Sequence, residues 1–169
     1  MIDYIKESEK FRPDKIKTLL VAEAPPPSGQ KYFYVPEKMN PGRNIENYSS
    51  LPATVFYHYF KSIPGTKKEY LQYLDKLKEK GVFLTDIIDK PLKIRDKTQK
   101  NQINKKNLEY LILQIPLLRN KLKQRQIIID DKDIVFLLAR NNYIKHIRKE
   151  FPESKLIRWK DFRMNIQKL

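Results

Sequence analysis

Two acids stand where an α/β protein usually does its chemistry. Glu23 closes the apolar run Leu19 to Ala22, and Asp86 ends the run that begins at Val82, with Asp89 three residues beyond it. Short apolar runs bounded by turn residues read as buried strands. In open α/β sheets, ligands bind outside the carboxyl ends of such strands. If the two strands are parallel neighbours, Glu23 and Asp86 come together and share a site. Strand ends are also exposed and tolerate acids, so the same pair fits a solvated rim. The residues after Glu23 favour a pocket. Pro25, Pro26 and Pro27 force the chain out of the sheet, Ser28 and Gly29 allow a turn, and Tyr32, Phe33 and Tyr34 supply flat rings. An acid beside a rigid turn and aromatic rings suits a small planar group.

Other catalytic patterns are missing. The chain has no cysteine, which excludes disulfides, thiolate nucleophiles and cysteine-held zinc or iron–sulfur clusters. It has no Walker loop, no GxGxxG and no HExxH. The histidines, His58 and His146, fall in predicted helices, where packing or surface roles are commoner than catalysis. No cofactor is expected. A metal enters only in a nuclease reading, with Glu23, Asp86 and Asp89 holding Mg²⁺.

The elements that must position these groups follow from periodicity. Strands are expected at Lys17 to Ala24, Val82 to Asp86, Ile134 to Ala139 and Lys155 to Trp159, with a further short one possible at Ile127 to Ile129. Helices are expected at Asp3 to Phe11, Pro52 to Lys61, Thr66 to Lys80, Asn104 to Lys123, Asn141 to Phe151 and Asp161 to Leu169. Thr66 is a candidate N-cap, Gly81 a C-terminal stop, and Pro116 a kink or break. Residues 36–52 and 93–101 read as loops. Strands alternating with helices predict a three-layer α/β/α sandwich around a central, mainly parallel sheet of about four strands. Its 169 residues fit one domain spanning 1–169.

Charge bears on partners. Thirty-five basic against 20 acidic residues give a net charge of +15. Between Lys93 and Arg125 stand ten Lys/Arg against Asp96 and Glu109 alone, a local concentration that includes Lys93 and Arg95. Such a patch suits phosphate contact, and the expected partner is nucleic acid, DNA first. A lysine-rich but merely solvated surface is the plainer account. The opening MIDYIKESEK is too polar for a signal peptide, and no apolar run approaches the roughly 20 residues of a membrane span. A cytoplasmic protein without a membrane partner is the expectation.

The motif EAPPPSGQKYFYVP, followed by GVFLTDIIDKP and DIVFLLA, resembles the uracil-DNA glycosylase superfamily. It is most similar to the branch whose first motif reads Gly-Glu-Ala-Pro-Gly, here Ala22 to Pro26. The likeness covers roughly Lys15 to Leu169. It implies that Glu23 orients water or offsets positive charge developing on the sugar. Ala24 and Pro25 would line the base, and Phe33, or Tyr32 or Tyr34, would stack on it. The family's Thr-Asn landmark stands here as Thr85-Asp86. An amide both donates to and accepts from uracil, whereas an ionised carboxylate only accepts. A buried, protonated Asp86 would suit the amino edge of cytosine instead. The last motif lacks the family's histidine. Arg158 or Lys160, in LIRWKDF, would stabilise the departing base, with Lys93 and Arg95 holding phosphates. The implied activity is N-glycosidic removal of a damaged or deaminated base from DNA. A non-catalytic nucleic-acid or nucleobase binder of the same fold is the alternative, and a Mg²⁺-dependent nuclease the more distant one.

Overall fold

Four short strands pair into one all-parallel sheet in the order β2-β1-β3-β4. We describe the protein from a computed structural model covering residues 2–26, 32–35, 51–92, 100–139 and 141–158, with backbone alone for 100–104. In chain order the elements are α1 (Tyr4–Glu9), β1 (Thr18–Ala22), α2 (Leu51–Phe60), α3 (Lys67–Glu79), β2 (Val82–Asp86), α4 (Lys100–Gln114), α5 (Leu118–Gln124), β3 (Ile134–Leu138), α6 (Ile144–Glu150) and β4 (Lys155–Arg158). The predicted closing helix, 161–169, and the two predicted loops lie mostly or wholly outside the described residues.

Strand order dictates the layers. The chain leaves β1 outward to β2 and then crosses back past β1 to β3, so its winding reverses. Because crossovers between parallel strands are right-handed, α2 and α3 cover one face of the sheet and α4 to α6 the other. That is the expected three-layer α/β/α architecture. β2 and β3 are buried throughout, as sheets covered on both faces require.

Local signals set several boundaries. Thr66 caps α3 in a reciprocal capping box with Glu69, satisfying amides that the first helical turn leaves open. Gly81 follows with φ +75°, and a Cβ there would lie 2.8 Å from Lys17 Cγ and 2.9 Å from the Lys15 carbonyl oxygen. Only glycine fits that turn, and its carbonyl accepts from the Lys17 and Thr18 amides where β1 begins. Pro116 does break the long helix, separating α4 from α5. The possible strand at Ile127 to Ile129 does not form. Ile127 is buried and Ile129 packs partly buried against the core, but Ile128 is 93% exposed, so the segment is an unpaired connection anchored on either side of Ile128.

β2 is an edge strand, and its outward backbone is covered by side chains. The Tyr34 hydroxyl accepts from the Leu84 amide at 2.8 Å and donates to the Leu84 carbonyl at 3.0 Å. Lys121 Nζ donates to the carbonyl of Asp86 on the same edge. Covered edges do not template pairing with another chain.

Candidate functional site at the carboxyl ends of the strands

The tips of β1 and β2 do lie side by side. Ala22 pairs with Asp86, and amide bonds from Ile87 to Ala22 O (2.8 Å) and from Ile88 to Glu23 O (3.0 Å) carry the pairing past the strand ends. The acids nevertheless do not meet. Residues in register point to the same face, and the next residue points to the other. Ala22 and Asp86 therefore share a face, while Glu23 departs from it. Glu23 Oε1 accepts a 2.6 Å hydrogen bond from the Tyr143 hydroxyl, which arrives from the turn after β3. Asp86 lies among Lys121, Asp89 and Arg125. The expected single hollow beneath both carboxyls is thus replaced by two separate environments.

Glu23 occupies the more telling one. In the order β2-β1-β3-β4 the connections diverge between β1 and β3, the topological switch point at which sheets of this kind open a crevice for ligands. Glu23 and Tyr143 stand on its two sides. Ala24 is half-buried and Pro25 buried beside Glu23, and the expected turn at Ser28 and Gly29 lies outside the described residues. Tyr143 is 1% exposed and was not singled out from sequence. Its place just past the third strand is the signal that could have found it. Arg158 is exposed at the carboxyl end of β4, in register with Leu138, two strands from β1. Lys93, Arg95 and Lys160 lie outside the described residues.

Asp86 is 5% exposed. Burial pushes its pKa from 3.8 up to about 7, with the Asp89 charge adding to the rise while Lys121 and Arg125 oppose it. Lys121 donates to Asp89 Oδ1 as well as to the Asp86 carbonyl, yet burial still lowers its pKa. A carboxyl poised near neutrality can be a hydrogen-bond donor, as a cytosine-reading Asp86 requires. In this structure, however, it is enclosed by protein.

The aromatic trio proves to be core. Tyr32, Phe33 and Tyr34 are 4, 3 and 3% exposed. Phe33 stacks on Phe56 at 5.5 Å, and its carbonyl accepts from the Tyr70 hydroxyl at 2.7 Å. Tyr34 stacks on Phe11 at 5.8 Å and seals the β2 edge, and the Tyr32 hydroxyl donates to the Tyr4 carbonyl. The expected walls of a base pocket instead fasten this segment to α1, α2 and β2.

Several cations of the basic stretch are likewise committed to the fold. Arg119 forks onto Asp131 at 2.9 and 2.8 Å and lies 4.3 Å over Phe151. Arg125 joins Glu9 (2.5 Å), Ser8 (3.0 Å) and Thr85 (2.8 Å). Lys105, Lys106 and Lys123 remain exposed. Among the described residues no group of three His, Cys, Asp or Glu side chains is placed to hold a metal ion. Asp89, which the nuclease reading needs, is held by Lys121. Compared with protein-family models, with curated proteins and with solved structures, the chain matches none. No helix among the described residues is long and apolar enough to cross a membrane.

Proposed function

We propose that the chain is a nucleic-acid-binding protein of uracil-DNA glycosylase-like kind, which receives a nucleobase or nucleotide in the crevice between β1 and β3. The observation that carries this reading is the position of Glu23, a carboxylate held by Tyr143 at the topological switch point of the sheet in a chain of net charge +15. Crevice and carboxylate suit a polar planar group with N–H donors, and the charge suits its phosphates.

Binding is ranked ahead of excision because the rings expected to stack on a flipped base are core residues. The hydrogen bond from Tyr143 favours excision as a second reading, since it orients a carboxylate that could position water against the sugar. The test is fluorescence anisotropy with labelled single- and double-stranded DNA over a salt series, beside an excision assay on strands carrying uracil, hypoxanthine or xanthine. Binding with a steep salt dependence and no product supports the binder. Product formation that Glu23→Gln abolishes supports the glycosylase. Absence of binding to either form of DNA at low salt rejects both.

A further inference from the structure

The aromatic packing that includes Phe33 continues onto the helical layer formed by α2 and α3. Phe56 is its buried centre, with Tyr70 and Tyr73 edge-on to it at 4.8 and 5.4 Å. Outside this centre Tyr57, Phe60 and Tyr73 are half-buried. Phe60 and Tyr73 meet at 4.9 Å with their planes 59° apart, and the Tyr73 hydroxyl is hydrogen-bonded to Ser62. Two exposed lysines lie over these rings. Lys61 Nζ is 5.9 Å from the Tyr57 centroid, and Lys76 Nζ is 5.2 Å from Tyr73 and 6.0 Å from Phe60. Among the described residues neither lysine is paired with a carboxylate.

An ammonium over a ring marks a π-face that core packing has left uncovered. A flexible lysine is a cover that a better-fitting flat group can displace. Successive rings with cations between them are the arrangement that holds single strands, where bases stack on the rings and ammonium groups meet the phosphates. A base seated on Tyr57 or Phe60 would move Lys61 or Lys76 only as far as its neighbouring phosphate. We infer that Tyr57, Phe60 and Tyr73, with Lys61 and Lys76, form a stacking platform for single-stranded nucleic acid. This inference rests on the nucleic-acid reading above but places the contact on different elements from Glu23. It also gives the binder partly exposed rings, which the buried trio cannot supply.

The test is anisotropy with a labelled 20-nucleotide oligothymidine and a duplex of equal length, each titrated over a potassium chloride series. Tyr57→Ala should weaken single-strand binding about tenfold, within the range for loss of one base–aromatic stack. Lys61→Gln with Lys76→Gln leaves every ring in place. It should make the slope of log K against log salt shallower by about 1.4, or about 0.7 for each lost phosphate contact. Lys132→Gln, an exposed charge on the connection before β3, should change single-strand affinity less than twofold, and duplex binding should respond less than single-strand binding to the platform variants. If the wild type binds and the lysine pair alters neither affinity nor slope, the platform is wrong and the strand-tip reading stands. If the wild type binds neither form of DNA, both are wrong.

Discussion

Asp86 makes the stability of this fold fall as pH rises toward neutrality, and the size of the effect can be worked out. In the unfolded chain an aspartate titrates near 3.8, whereas in the folded protein burial raises Asp86 to about 7. Below about pH 4 both states hold the proton, so nothing is lost. Between about 4 and 7 the folded state keeps a proton that the unfolded state has released, so stability falls with pH, and above about 7 the loss is complete. The interval, 3.8 to about 7, is about three pKa units at about 1.4 kcal/mol each, which puts the penalty near 4 kcal/mol as a ceiling. Movement of Lys121 toward the ionised carboxyl reduces it. Asp86→Asn keeps the shape and removes the titration. The assay is urea unfolding of wild type and variant, followed by circular dichroism at pH 5, 6, 7 and 8. The variant should exceed wild type by about 1–2 kcal/mol at pH 5, where the unfolded carboxyl has already released its proton, and by about 2–4 kcal/mol at pH 8, where each kcal/mol is worth about 2–4 °C in Tm. Taking the difference cancels His58, whose pKa is lowered by burial and by Lys61 and which therefore destabilises on acidification in both proteins. A difference that is constant from pH 5 to 8, or one that favours wild type at pH 8, refutes the buried neutral carboxyl.

Other expectations concern the ties that hold the site's supports. Arg125→Ala removes bonds to Glu9, Ser8 and Thr85 and a cation 5.5 Å from Phe83, and should cost about 3 kcal/mol in urea unfolding. Arg125→Lys should recover less than half of that, because an ammonium cannot reproduce the fork. Tyr34→Phe leaves the Leu84 amide and carbonyl on the β2 edge without their partner. A loss of about 1–3 kcal/mol is expected, together with faster aggregation seen by light scattering. Thr66→Ala breaks the capping box of α3 and should lower stability by about 1 kcal/mol in urea unfolding.

The inner strands were readable because burial on both faces writes them as apolar runs, as in Ile134 to Leu138, whereas β4 is partly exposed and carries only two apolar residues. Thr66 and Gly81 were readable because capping and positive φ select residue types locally. Tyr32, Phe33 and Tyr34 show where such reading stops. A ring that packs and a ring that stacks on a ligand use the same residues, and only the partners (Tyr4, Phe56 and Leu84 here) separate them. The basic stretch behaves in the same way. Arg119, Lys121 and Arg125 look like surface cations until Asp131, Asp89 and Glu9 are placed against them, at separations of 12, 32 and 116 residues along the chain.

Parity explains why the strand-tip acids separate. Proximity of two parallel strand ends is a property of the backbone, whereas convergence of their side chains depends on whether the acids occupy paired positions. Asp86 pairs with Ala22, so Glu23 is one residue out of phase, and a one-residue offset sends a side chain to the opposite face. An acid at position 22 would have faced Asp86, and the mutual repulsion of two buried carboxyls would have raised at least one pKa further still. With the offset, Asp86 stays within the support built from Lys121 and Arg125, and Glu23 turns toward β3, where the connections part. Under the proposed binding reading, the carboxylate that meets the ligand is Glu23, whose strand has neighbours on both sides and whose partner, Tyr143, comes from beyond the switch point.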